Sequence, residues 1–250
     1  MQYTVKGRIK SIKQPKGGYL PASLFIAKQY DDGRILNPKE NIHGSFVGMT
    51  VDYLTRCFMT KNLPESFEIS LHGARILNEF VDYAYEYALL LLANVATGDI
   101  ASAVKLTAFD AVYRAGVMDI SFPSPDTATV ENIKIMVQRG VNFLERCGPI
   151  VKAGFTLEGG YTDTVVNGDG DYLTKESLID FKVIRSNINS NYTLQLLMYY
   201  LMGLHSIHPE FKNIKYLAIF NPRKNMVYYL PTKRISESVI NEVSTKVIGY

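Results

Sequence analysis

The chain predicts an α/β fold, a central mixed β-sheet flanked by helices, with a largely helical N-terminal part ahead of it. Three observations carry this. Apolar residues recur at helical spacing between Phe46 and Arg146, the pattern changes to period two after Pro149, and one strongly apolar helix, Leu194 to His205, returns between strand-like runs. The two parts divide at 128/129, residues 1–128 packing on a core of 129–250. A chain of 250 residues with 47% hydrophobic and 20% charged side chains suffices for one compact unit.

In chain order, Gln2 to Ile12 loosely alternates polar and apolar residues, and Tyr19 to Ala27 is a second extended run. Together they predict a small sheet element divided at Gly17-Gly18. Val47, Val51, Leu54 and Phe58 give an amphipathic helix over Phe46 to Thr60, with Asp52 and Arg56 one turn apart as an ion pair. Ile76 to Ala96 reads as one long helix, and Asp99 caps another that runs to Gly116. Pro123 and Pro125 mark a linker before a helix from about Thr129 to Arg146, capped by Asp126 or Thr127. Phe155 to Val183 reads as a meander of three strands, one of them Tyr161 to Val166. Leu194 to His205 is apolar nearly all round and belongs against the sheet, which leaves Gln195 and Tyr199 sharing one face and in need of partners. Lys215 to Asn221 and Met226 to Leu230 pair about the turn at Pro222–Asn225, and Ser236 caps a final helix.

The chemistry gathers in the stretch from Gly168 to Lys182. Thr174-Lys175-Glu176-Ser177 makes a hairpin turn, so Leu173 lies opposite Leu178, Asp171 opposite Asp180 and Asp169 opposite Lys182. Period two then sets Asp169, Asp171, Asp180 and Lys182 on one face and Ile179, Phe181 and Val183 on the other. A three-residue loop would instead throw one strand's charges to the opposite face. Carboxylates crowded on one sheet face repel one another unless a cation intervenes. Hard oxygen donors suit Mg2+ or Mn2+, and a lysine beside such a metal orients the attacking water or neutralises charge on a phosphate.

Asp180-Phe181-Lys182, with an acid on the neighbouring strand and Gln195 and Tyr199 on the following helix, resembles the PD-(D/E)XK nuclease superfamily, particularly its RecB-like branch and its uncharacterised bacterial or phage members. The likeness covers roughly Phe155 to Pro231. It implies a restriction-endonuclease-like core and a Mg2+- or Mn2+-dependent deoxyribonuclease, acting in phage biology or DNA repair with DNA and a protein of a DNA-processing complex as partners. A cytoplasmic location is the expectation from an N-terminus, Met1 to Lys6, without the apolar core of a signal peptide. By the resemblance Asp171 and Asp180 are the metal ligands with Asp169 a third, Lys182 serves the water, Gln195 fixes the lysine or a phosphate oxygen, and Tyr199 faces the substrate. Apart from the resemblance, Arg223 and Lys224 at a turn tip either offer positive charge to a phosphate backbone or form a solvated loop. Asp163, in Gly160-Tyr161-Thr162-Asp163, competes with Asp171 because Gly-x-x-Asp also fits the RecB-like pattern, and Glu158 is a weaker competitor.

Several classes lack their signatures. Cys57 and Cys147 are too few for a four-thiolate site, which sets aside the iron–sulfur members of the branch. His205 and His208 are without further ligands in sequence, no phosphate-cradling glycine motif or His-Glu-x-x-His occurs, and no apolar run approaches the length of a membrane span. A formal charge of +3 neither requires nor forbids a nucleic-acid partner. The alternative to hydrolysis is a catalytically inactive module of the same fold that binds nucleic acid or protein.

Overall fold

A computed structural model describes residues 1–250. The chain divides into two compact units, one made of residues 1–30 and 144–250 and the other of residues 31–143. The sequence placed a single division at 128/129; the structure instead assigns the first 30 residues to the sheet unit, because their strands pair with strands from the C-terminal half.

The chain starts with β1 (Tyr3–Thr4), α1 (Val5–Ser11) and β2 (Ile26–Gln29). Most of the alternating run expected to be a strand is therefore helix. Thr4 caps it, its Oγ accepting the Gly7 N–H at 3.0 Å, and Val5 and Ile9, one turn apart, are both buried.

Six helices follow within the second unit, α2 (Gly44–Thr60), α3 (Leu63–Ser66), α4 (Glu68–Leu77), α5 (Ala84–Ala96), α6 (Ile100–Leu106) and α7 (Asp110–Ala115), and then α8 (Thr127–Cys147), whose last turn counts with the first unit. The Asp52–Arg56 pair forms at 2.9 Å, Asp99 accepts the Ala101 N–H, and Gly116 takes the left-handed conformation that ends α7. The long helix expected over Ile76 to Ala96 is broken. Asn78 accepts the Tyr85 N–H with its side chain and Tyr83 adopts a left-handed backbone, so the chain turns before α5. Two polar clusters, one buried and one partly buried, brace this unit. Tyr53 and Ser70 donate to Asp110 at 2.5 and 2.6 Å, and Arg139 grips Asp32 with two bonds of 2.7 and 2.9 Å.

The sheet unit continues with β3 (Ile150–Thr156), β4 (Val165–Asn167), β5 (Asp169–Thr174), β6 (Ser177–Phe181), α9 (Ser190–His205), β7 (Tyr216–Asn221), β8 (Met226–Pro231) and α10 (Glu237–Glu242). Six strands form a mixed sheet in the order β2-β8-β7-β6-β5-β3, with β6 and β7 parallel and the other neighbours antiparallel. The expected three-strand meander is corrected in one respect. β3 pairs directly with β5, while Tyr161 to Thr164 is irregular and the short β4 leaves the main sheet to pair with β1. Gly159, with φ of 83°, and Gly160, whose added Cβ would lie 2.1 Å from the Met202 carbonyl oxygen, turn the chain away at that point. Leu194, Leu197, Met198 and Leu201 of α9 join Leu173, Leu178, Leu217 and Ile219 of the sheet in one core, as the helix's apolar surface predicts. No helix is long and apolar enough to cross a membrane.

Candidate functional site

The site grows out of the β5–β6 hairpin. Thr174 Oγ accepts the N–H groups of Glu176 and Ser177 at 3.4 and 3.0 Å, which closes the turn and fixes the register Leu173 to Leu178 and Tyr172 to Ile179. Beyond Tyr172 and Ile179 the backbone ladder between these strands stops. β5 continues with β3 through Gly170 and Asp169, and β6 continues with β7 through Asp180 and Phe181, so the two strands belong to different partners at this level. Asp171 bridges the opening, its Oδ2 accepting the Phe181 N–H at 2.7 Å in place of a backbone carbonyl. The pairings of Asp171 with Asp180 and of Asp169 with Lys182 expected from the sequence are not made, because the ladder ends first.

Leu173 and Leu178 point into the core beside α9, so by period two Asp171 and Asp180 share that face. Asp180 is 2% exposed, and its Oδ2 meets the Lys182 ammonium in an ion pair without a further hydrogen bond. Lys182 extends the β6–β7 ladder by donating its N–H to the Phe220 carbonyl at 2.9 Å, and its ammonium lies 5.7 Å from the centre of the Tyr192 ring. Burial alone would lower the lysine pKa, but the charges of Asp180 and Asp171 and the bond to Asp180 outweigh it and raise it, which keeps the side chain an ammonium at neutral pH.

On α9, Gln195 donates from Nε2 to the Tyr199 hydroxyl at 2.8 Å, and both side chains are buried. Gln195 thus finds its partner on its own helix rather than on the lysine, a difference the shared helix face allows. Tyr199 is the member that senses the acids. Burial first, then the charges of Asp169, Asp180 and Asp171, push its pKa well above the ordinary phenol value, so it stays neutral. Gly168 makes room for this arrangement: a Cβ there would stand 2.7 Å from Val5 Cγ2 and 3.3 Å from Tyr199 Cε1.

The remaining candidates fall in two groups. Asn221 donates to the Ile184 carbonyl at 2.8 Å and Lys224 donates to Asn187 at 2.7 Å, so the turn carrying Arg223 and Lys224 rests on the loop that follows Lys182. Asp163 sits in an exposed bend and Glu158 in an exposed turn, and neither is on a strand of the sheet. His205 stacks on Tyr250 with ring centres 4.0 Å apart and His208 bonds the Thr156 carbonyl, so the two histidines serve different neighbours. Tyr192 carries no signal in the sequence, whereas Gly168 is legible there as the start of the stretch that holds the acids, though not for the space it leaves to Val5 and Tyr199.

The donor set is Asp171 and Asp180 with an exposed Asp169 nearby in the chain, and no group of three or more His, Cys, Asp or Glu side chains gathers as a ready metal cage. Two carboxylates still fit Mg2+ or Mn2+, because such ions keep several waters and take one or two protein carboxylates together with substrate phosphate. The Asp180 Oδ2, buried and met by an ammonium alone, is an oxygen of the required kind. Compared with family models, curated proteins and solved structures, the chain matches none.

Proposed function

We propose that the sheet unit is a restriction-endonuclease-like core and that Asp171, Asp180 and Lys182 form the centre of a metal-dependent phosphodiesterase acting on DNA. The observation that carries the reading is the convergence of these three groups where the β5–β6 ladder ends, with Asp180 buried and the lysine held between carboxylates. Charges perturbed by burial and by a specific charge partner cluster at functional sites.

Asp171 and Asp180 would hold Mg2+ or Mn2+, with Asp169 an additional oxygen donor. Bound there, the cation would offset charge on the scissile phosphate and make a water more acidic. Ahead of cation binding, the charges of Asp180 and Asp171 outweigh burial and keep Lys182 an ammonium, with no lone pair to act as a base. It acts as a donor instead, orienting the attacking water through its oxygen and stabilising charge that builds on the phosphate. Tyr199, held by Gln195, contributes a neutral hydroxyl in the field of the three acids and a rigid wall behind them. Arg223 and Lys224, on the turn resting against the loop after Lys182, would meet the flanking phosphates.

A second reading has one observation in its favour. The ion pair of Lys182 with Asp180 already neutralises part of the site, as it would in an inactive module that binds nucleic acid or protein. The test incubates the protein with linear, circular and single-stranded DNA in Mg2+ and in Mn2+, beside Asp180→Ala and Lys182→Ala. The proposal expects cleavage that Asp180→Ala abolishes and that Lys182→Ala slows by about two orders of magnitude, the scale of one positioned electrostatic group. Cleavage of no DNA form, or cleavage retained by both variants, would favour the inactive module.

A further inference from the structure

Charge is distributed unevenly along the chain. Residues 1–30 contain six of the 27 Lys and Arg and none of the 24 Asp and Glu, which leaves the other 220 residues with a net charge of −3. Lys6, Lys10, Lys13 and Lys16 are all exposed and form no ion pair, while Val5 and Ile9 anchor their segment in the core. Arg8 is used differently. It donates to the Val247 and Lys246 carbonyls, both at 2.8 Å, and so fastens α1 to the C-terminal helical turn.

The segment runs beside the candidate site. At one end Thr4 pairs with Asn167, and Val5 lies against Gly168, the residue before Asp169. At the other end Gln14 donates to Asn191 at 2.7 Å, Gly18 is in close contact with Ser190, and the Leu20 carbonyl accepts from Thr193 at 2.5 Å. Residues 5–20 therefore follow α9 from the level of Tyr199 to its first turn, where Tyr192 lies beside the Lys182 ammonium.

We infer that Lys6, Lys10, Lys13 and Lys16 form a track for the phosphate backbone of the nucleic acid that enters this site. The inference rests on the proposed function and adds the surface that holds the substrate. Two features favour nucleic acid over an anionic membrane. A helix lying on a membrane presents an exposed apolar face, whereas Met1 is the sole exposed large apolar side chain among residues 1–20, and α1 turns its apolar side inward. The segment that carries the track also packs against Gly168 and the first turn of α9, the elements beside the proposed centre.

The test measures binding of a labelled oligonucleotide of about 20 residues, single-stranded and duplex, by fluorescence anisotropy in EDTA across roughly 50 to 200 mM KCl. The proteins are the full chain, the fourfold Lys→Gln variant at positions 6, 10, 13 and 16, the fourfold Lys→Arg variant, and a Lys175→Gln/Lys212→Gln control. Loss of four phosphate contacts lowers the slope of log K against log salt by about 3 and weakens binding about a hundredfold or more near 0.1 M salt, and arginine restores both. The control keeps the parent slope, and Mn2+-supported hydrolysis of bis(p-nitrophenyl) phosphate, too small to reach the track, stays at the parent rate in the glutamine variant. Equal slope and affinity in parent and glutamine variant would overturn the inference, as would an absence of salt-dependent binding in the parent. Loss of binding to phosphatidylserine vesicles with DNA binding retained would replace it with the membrane reading. A parent that binds with the expected slope but hydrolyses neither DNA nor the small diester would leave the track standing and remove the hydrolytic function.

Discussion

Replacing Lys182 by Met keeps an unbranched side chain of similar length and removes only the charge. The partner left behind is Asp180, whose side chain is 3% exposed and whose Oδ2 has the lysine ammonium as its close ion-pair partner. Breaking a buried pair from one side strands a charge and typically costs about 3 to 5 kcal/mol. Lys182 is itself 14% exposed, so solvent screens part of the pair and the lower figure, about 3 kcal/mol, applies. For a chain of this size that corresponds to a fall in Tm of roughly 6 to 12 °C, readable by urea and thermal unfolding in EDTA. The lysine pKa is raised in the folded state, so its contribution is complete below the ordinary lysine value of about 10.4 and is lost as pH rises through the raised folded value. The difference between parent and variant should therefore be constant from neutral pH to about pH 10 and shrink above it. Millimolar Mn2+ should stabilise the variant more than the parent, because a cation would replace the missing charge. A loss below about 0.5 kcal/mol would refute the reasoning, since it would mean that the carboxylate is not held against the ammonium.

Three further outcomes follow from specific contacts. Asp32→Asn should destabilise the 31–143 unit by about 3 kcal/mol in urea unfolding, because it removes the carboxylate charge that faces the buried Arg139 guanidinium. The bond from Arg139 holds the Asp32 carboxyl far below the usual carboxylate range, so this contribution is present above about pH 4 and fades as pH falls, and the gap between parent and variant should narrow in acid. Gly168→Ala should cost about 1 to 3 kcal/mol by chemical unfolding, because its methyl meets Val5 and Tyr199, and should slow DNA cleavage by displacing the start of β5. Tyr199→Phe should cost about 1 to 3 kcal/mol by leaving the buried Gln195 amide without its acceptor, and Gln195→Leu in the same background should recover part of it.

The hairpin was legible because its determinants are local. An even turn closed by Thr174 sets Leu173 against Leu178, and period two does the rest. The end of the ladder was not legible, since it depends on Asp171 capturing the Phe181 N–H and on each strand following another neighbour. Gln195 and Tyr199 were visible as a pair by spacing, yet no pattern says whether a buried amide bonds along its helix or across to the sheet. The N-terminal helix was misread because seven residues give too few periods to separate helix from strand, and the Thr4 cap and the Val5–Ile9 spacing decided it. The break between α4 and α5 rests on the left-handed Tyr83, a residue type that seldom adopts that backbone.

The central claim is that Asp171 and Asp180 hold a catalytic cation. Calorimetric titration of Mn2+ into the parent, Asp171→Asn, Asp180→Asn, Asp163→Asn and Lys182→Met tests it without any assumption about substrate. The parent should give a binding isotherm that both Asp171→Asn and Asp180→Asn abolish, and that Asp163→Asn and Lys182→Met retain. An isotherm lost in Asp163→Asn and kept in Asp171→Asn, or no Mn2+ binding by the parent, would contradict it.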